Sequence, residues 1–398
     1  MTHAAVPAPA PVPAAALRAP EALDRLASRA LRVGLVAAAA CALGALFDPG
    51  AFLRAWLVAV QLWLGVALGS FALVLLHHVT RGAWGLMVRR VLEASASTLP
   101  FLALLFVPLL LGVGRLYPWA RAHEGPAHFQ EAWLNVPFFT VRTLVYFAAW
   151  IALAARVRGL SFRQDEPHDR GLLRRLRSAG APGLALYCLT ATFASIDWLL
   201  SLRTGWGSTI YGVYFVGGHA VSALAFTVLV AAFLARRGPM GALLQPSHFH
   251  DYGKLLHAFV LLWAYFGFSQ FLIIWSANLP EEAGWYADRI GGGWRWVSLS
   301  LVLFHFAVPF ALLLSRSLKR DPRRLARVAA LLFVMRWVDL FWLVAPAFHP
   351  GRLSVHWLDL AAPVALGGGW LWLFARALRR RPLVPLHDPD LAAVVAHG

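Results

Sequence analysis

The chain has 398 residues, 60% of them hydrophobic and only 14% charged, with a formal net charge of +17 at pH 7. This balance places it among polytopic membrane proteins. The basic excess does not signal nucleic acid, because the arginines gather in alternate connections between apolar runs.

Met1 to Pro20 is rich in alanine and proline and lacks the basic-then-apolar order of a cleaved signal, so residues 1–29 read as a disordered tail. Ten apolar runs follow, each about the 20 residues that cross a bilayer. They lie near 30–47, 52–77, 91–114, 132–155, 181–202, 208–235, 252–276, 294–315, 325–346 and 357–378. Backbone polar groups in lipid must be satisfied within the segment, so these runs are helices, and the lack of period-2 alternation excludes a barrel. The expected fold is all-α: a ten-helix membrane domain over 30–378 followed by a second tail at 379–398.

Arg18, Arg25, Arg29 and Arg32 precede the first run, and seven arginines from Arg156 to Arg177 separate the fourth from the fifth. Arg316, Lys319, Arg320, Arg323, Arg324 and Arg327 join the eighth to the ninth, and Arg376, Arg379, Arg380 and Arg381 follow the last. The alternate connections carry scattered residues such as Arg54, Arg115, Arg203 and Arg352. By the positive-inside rule both termini are cytoplasmic. Within 156–180, the stretch LLRRLRS reads as a short amphipathic segment lying on the anionic leaflet. The opposite connection, 278–293, holds Glu281, Glu282 and Asp288. The nearby Trp275, Trp285, Tyr286, Trp294 and Trp296 suit an interfacial aromatic belt or a docking surface for an extracytoplasmic partner. A faint four-helix period, with His77-His78 after the second run and His248, His250 after the sixth, suggests bundles of helices two to five and six to nine.

Cys41 and Cys188 are the only cysteines, with no CxxC or CxxCH, so the chain alone offers neither iron–sulfur ligation nor covalent haem attachment. Chemistry must come from ionisable residues inside the runs. Arg336 and Asp339 stand one turn apart in the apolar run Val328–Pro346. A charge at the centre of a bilayer costs about 2.5 to more than 10 kcal/mol, so such groups are paired, hydrated or working. By position along the runs, Asp251, Lys254 and His257 stand near the cytoplasmic start of the seventh helix. His219, His305 and Arg142 fall near mid-depth with Arg336 and Asp339, and Asp197 towards the outer end. Groups at every depth are what a proton path requires.

Plainer roles stay open. Arg336 and Asp339 also suit a structural brace. Asp251 and Lys254 suit an interfacial anchor. His219, behind Gly217 and Gly218, suits a cross-helix hydrogen bond. A haem between His219 and His305 would need the two rings to face each other. Glu93 is positioned to pair with Arg89 and Arg90. Trp263, Tyr265, Phe266 and Phe268 offer a wall suited to a quinone ring, although such a stripe at helical spacing also serves packing.

Four stretches carry a resemblance: WLNVPFFTVR (Trp133–Arg142); FASIDWLLSL with STIYGVYF (Phe193–Leu202, Ser208–Phe215); HDYGKLLHAFVLLWAYFGFSQFLIIWSANLPEE (His250–Glu282); and GGWRWVSLSLVLFHFAVPFALLLSRSLKR leading to MRWVDLFWLVAPAF (Gly292–Phe348). Over most of 130–350 the chain resembles the ActF-type membrane subunit of alternative complex III, the quinol:cytochrome c oxidoreductase, within the NrfD-like group. The resemblance implies an integral subunit with no redox cofactor of its own. It would sit beside a related quinol-binding membrane subunit, an iron–sulfur subunit and c-type cytochromes, so haem c and iron–sulfur clusters belong to partners. Quinol or menaquinol contact, a proton path and a structural role are all compatible with it. Asp197, Asp251, Lys254, His257, His305, Arg336 and Asp339 are the matching motif positions, and Arg203-Thr204-Gly205 departs from the expected outer turn. The alternatives are a secondary transporter with a polar midplane site, for which Pro100, Pro108, Pro137 and Pro309 permit kinks, or a purely architectural subunit.

Overall fold

The computed structural model describes residues 17–121, 131–165, 171–237, 240–391 and 394. Among them there is no β-strand, and ten helices are long and apolar enough to cross a membrane. They are α1 (Glu21–Phe47), α2 (Pro49–Thr80), α3 (Ala83–Leu111), α4 (Val136–Phe162), α5 (Leu172–Trp198), α6 (Tyr211–Ala235), α7 (Pro246–Ala277), α8 (Trp294–Leu314), α9 (Pro322–Val344) and α10 (Trp357–Arg379). The chain is thus a multi-pass, all-α membrane protein. Most of residues 1–29 lies outside the described residues, but α1 begins at Glu21, so the nine residues before the first apolar run are helical.

Local chemistry sets the boundaries. Asp48 caps α2 by accepting from the Ala51 N–H (2.8 Å), with Pro49 at the first helical position. Asn135 caps α4 through Phe138 (2.9 Å). Asp321 caps α9 through Arg323 (2.8 Å) and Arg324 (3.2 Å). Asn278 ends α7 in the left-handed region (φ 48°). Prolines mark two interruptions. α3 turns at Ser97–Thr98, just before Pro100. α8 widens into a π-helical turn over Leu301–Ala307, where Pro309 has no N–H to give the His305 carbonyl.

The packing closes two rings. α2 packs on α3, α3 on α4, α4 on α5 and α5 on α2; α6, α7, α8 and α9 repeat the pattern. The rings meet chiefly where α2 lies along α6, and α10 pairs with α1 and α2 outside them. α2 and α6 have 94% and 83% of their apolar windows buried, against 22% for α7 and α8, which face lipid. Gly69 makes the α2–α6 contact possible: a Cβ there would stand 2.1 Å from the His219 carbonyl oxygen.

Three connections differ from expectation. LLRRLRS is the first part of α5 rather than a separate surface segment, because its leucines continue the buried stripe (Leu172 and Leu176, 2% and 1% exposed). Residues 280–290 form a helix across the end of the second ring. Trp275 and Trp296 stay exposed as a belt requires, but Trp285 and Trp294 are core, Trp285 stacking on Trp206 at 4.6 Å. The C-terminal segment is docked: Leu383 and Val384 are buried, Leu383 N–H donates to the Leu17 carbonyl (2.8 Å), and Asp388 pairs with Arg89 (3.0 Å).

Candidate functional site

The candidate site lies in the second ring, towards the end opposite the arginine-rich connections. Arg336 and Asp339, 1% and 0% exposed, form an ion pair on α9. Asp339 also accepts from the Tyr214 hydroxyl on α6 (2.6 Å) and the Trp263 indole on α7 (3.2 Å). Asp339 is five residues from the end of α9, about 8 Å in at 1.5 Å per residue. The pair is therefore shallower than its place in the apolar run suggests. Gly218 gives the guanidinium its room; a Cβ there would be 2.3 Å from Arg336 Cζ.

Two histidines flank this pair. His305, in the widened turn of α8, stacks on Trp263 at 4.0 Å, and neither ring nitrogen has a protein partner. His219 shares a hydrogen bond between Nδ1 and the Tyr187 hydroxyl (2.9 Å), and its Nε2 is unpartnered. The rings have different neighbours, His219 lying against Tyr187 and Gly65 and His305 against Trp263. Among the described residues no three His, Cys, Asp or Glu side chains cluster as metal ligands.

Beside the pair is a cavity of about 700 Å³ between α7, α8 and the 280–290 helix. Tyr214 and Trp263 belong to both its wall and the Asp339 cluster. Of the aromatic stripe on α7, Trp263, Tyr265 and Phe268 line the cavity while Phe266 does not. Leu261, Tyr265, Phe268 and Val302 are 41–63% exposed, so the opening faces the lipid side. Polar groups stand in the wall: Gln270 accepts from Ser208 (2.9 Å) and donates to the Tyr286 hydroxyl (3.3 Å). Burial pushes the Tyr286 phenol up to about 12, which keeps it a donor. Cavity size and apolar lining with a few convergent polar groups match small-ligand sites in general.

The other expected residues lie elsewhere. Arg142 is level with Asp197 rather than at mid-depth, because α4 begins at Val136 at the same end where α5 finishes. Their contact is bidentate, at 2.8 Å for both bonds. Asp197 also accepts from Trp133 (2.9 Å) and Tyr146 (2.9 Å), and Arg142 lies against the Trp133 and Phe138 rings. Asp251 and Lys254 form a partly exposed pair on the surface of α7 (2.9 Å) and do not point into the ring. His257 packs against Phe310 (5.1 Å). Glu93 pairs with Arg90 (2.8 Å) and, more loosely, with Arg89 (3.9 Å).

Sequence reasoning did not single out Tyr214, Tyr187, Gln270 or Tyr286 as site residues, although Tyr214 lies in the STIYGVYF motif. A hydroxyl or amide on an apolar helix becomes informative only when its partner is known. Arg289 was missed as well. It is 2% exposed and donates to the Trp285 (3.0 Å) and Leu343 (2.8 Å) carbonyls, and burial pushes its guanidinium down. No family model and no curated protein matches the chain.

Proposed function

We propose that this chain is the ActF-like integral subunit of a quinol:cytochrome c oxidoreductase, and that the cavity beside Asp339 is where it contacts quinol. The observation that carries this reading is the double role of Tyr214 and Trp263: they wall a lipid-facing aromatic cavity and donate to a buried carboxylate. Quinol is a flat aromatic diol that releases two protons when oxidised. Trp263, Tyr265 and Phe268 would hold such a ring, and Gln270 and Tyr286 offer hydrogen bonds within the wall. The Tyr214 hydroxyl can pass its proton to Asp339 as it takes another from the cavity. Arg336, paired with Asp339 one turn away on α9, holds the carboxylate in position. The sequence resemblance supplies the partners: a related quinol-binding subunit, an iron–sulfur subunit and c-type cytochromes, in a bacterial inner membrane.

A proton path through all the buried groups receives less support, because Asp251 and Lys254 lie on the surface and Asp197 is held by four donors. The test is purification of the tagged chain in mild detergent, with mass spectrometry of its partners and a visible spectrum. Multihaem and iron–sulfur partners with quinol-reducible haem bands are expected. A colourless chain purifying alone would overturn the respiratory reading in favour of a carrier. In the intact complex, Asp339→Asn should lower quinol turnover by about a hundredfold, the scale of a lost proton acceptor.

A further inference from the structure

A second cavity, of about 310 Å³, lies at the arginine-rich end of the first ring. Its walls come from the end of α2 (His77, His78, Arg81), the start of α3 (Leu86, Arg89), the first turns of α5 (Leu173, Arg174, Arg177) and the docked C-terminal segment (Asp388, Asp390). Nothing in the proposed quinol chemistry uses it.

The charge in this cavity is unbalanced in a defined way. Asp388 and Asp390 are already taken: Arg89 donates to Asp388 (3.0 Å), and Arg81 donates to Asp390 (2.5 Å) and approaches Asp388 (3.6 Å). Arg81 reaches them from a left-handed backbone (φ 56°), uncommon for a side-chain-bearing residue and held there by these two carboxylates. Arg89 also donates to Gln164 (2.8 Å). Arg174 and Arg177 line the same cavity, are exposed, and have no carboxylate partner among the described residues. His77 and His78, 5% and 6% exposed, form part of the wall, with His77 Nδ1 turned towards Gly85 of α3. The first turn of α5 enters the wall at Leu173 and Arg174, where the positive end of the helix dipole adds to the field.

We propose that this cavity is an anion site for a phosphate group, held by Arg174 and Arg177 at the mouth with the first turn of α5 beside them. The source that fits its place is the headgroup of an anionic phospholipid, since basic pockets between helices at this membrane face suit such headgroups; free phosphate has the same chemistry. Docking of the C-terminal segment, through Asp388 to Arg89 and Asp390 to Arg81, completes the wall.

The test uses the full chain, purified and stripped of lipid, with melting temperature followed against short-chain phosphatidylglycerol, phosphatidylcholine and inorganic phosphate. Arg174 and Arg177 are exposed, so Arg174→Gln/Arg177→Gln should fold. Arg323→Gln/Arg327→Gln, on α9 at the same end, is the control. Stabilisation by phosphatidylglycerol, with an apparent affinity weakened about thirtyfold in the first variant and unchanged in the control, would establish a headgroup site; thirtyfold corresponds to about 1 kcal/mol for each of the two arginines. The same pattern with inorganic phosphate alone would establish the site with free phosphate as its source. Equal effects of phosphatidylcholine, equal weakening in both variants, or no stabilisation by any of the three would overturn the proposal. None of these results touches the quinol reading, which concerns the other ring.

Discussion

Each four-helix ring carries a buried arginine–aspartate pair near the same end of the molecule, and the two pairs are built in opposite ways. Asp197 accepts four hydrogen bonds, and Arg142 is enclosed by Trp133 and Phe138 and donates to the Trp133 carbonyl (2.8 Å). None of its polar atoms is left buried without a partner. Around Asp339 the reverse holds: Arg336 Nε, His219 Nε2 and both His305 nitrogens are buried and unpartnered. A saturated pair has nothing further to bind and acts as a brace between α4 and α5. An unsaturated cluster beside a cavity retains bonding capacity for a ligand or proton, which is why function is assigned to it.

The sharpest way to break this comparison is to remove charge from each pair in turn. Asp197→Asn leaves Arg142 buried and uncompensated, and should destabilise the protein by about 3–5 kcal/mol in thermal unfolding. Replacing both partners by apolar residues avoids that penalty and is often neutral for stability. Arg142→Met/Asp197→Leu should therefore fold and keep quinol turnover, whereas Arg336→Met/Asp339→Leu should fold and lose it. A folded first double variant without turnover, or a second with full turnover, would dissolve the distinction.

A smaller effect sharpens it. Tyr214→Phe removes one hydroxyl from the Asp339 cluster and should cost about 1 kcal/mol of stability. Turnover should fall about tenfold, with a steeper pH dependence than wild type, if Tyr214 relays the proton. Unchanged turnover would leave Tyr214 as packing.

The smallest effect lies outside both pairs. Asp321 has its carboxyl held below the usual range by the Arg324 and Arg323 N–H groups it caps. Asp321→Ala should cost about 1 kcal/mol at neutral pH. A depressed carboxylate stabilises above its unfolded pKa and loses that contribution as pH falls through the folded value. The difference from wild type should therefore vanish in acid, and persistence there would assign the loss to packing.

Much of this architecture is legible in the sequence because its causes are local. Apolar runs of membrane-crossing length place ten helices, although α1 and α5 each begin nine residues before their runs. Arg336 and Asp339 are three residues apart on one helix, so their pairing follows from helical spacing alone. Glu93 with Arg90 is legible for the same reason.

What the sequence could not decide is everything that depends on two helices meeting. Arg142 and Asp197 are 55 residues apart, and only the shared end of α4 and α5 brings them together. Tyr214 meets Asp339 across 125 residues, and Arg89 meets Asp388 across 299. The aromatic stripe on α7 is identical in sequence whether it packs or lines a cavity; the widened turn of α8 and the helix at 280–290 leave the space beside it. Composition and period determine that a segment is a membrane helix, since lipid forces each backbone to satisfy itself. Which face meets which neighbour is set by side-chain fit across the bundle, and so only the tertiary structure separates the brace from the site.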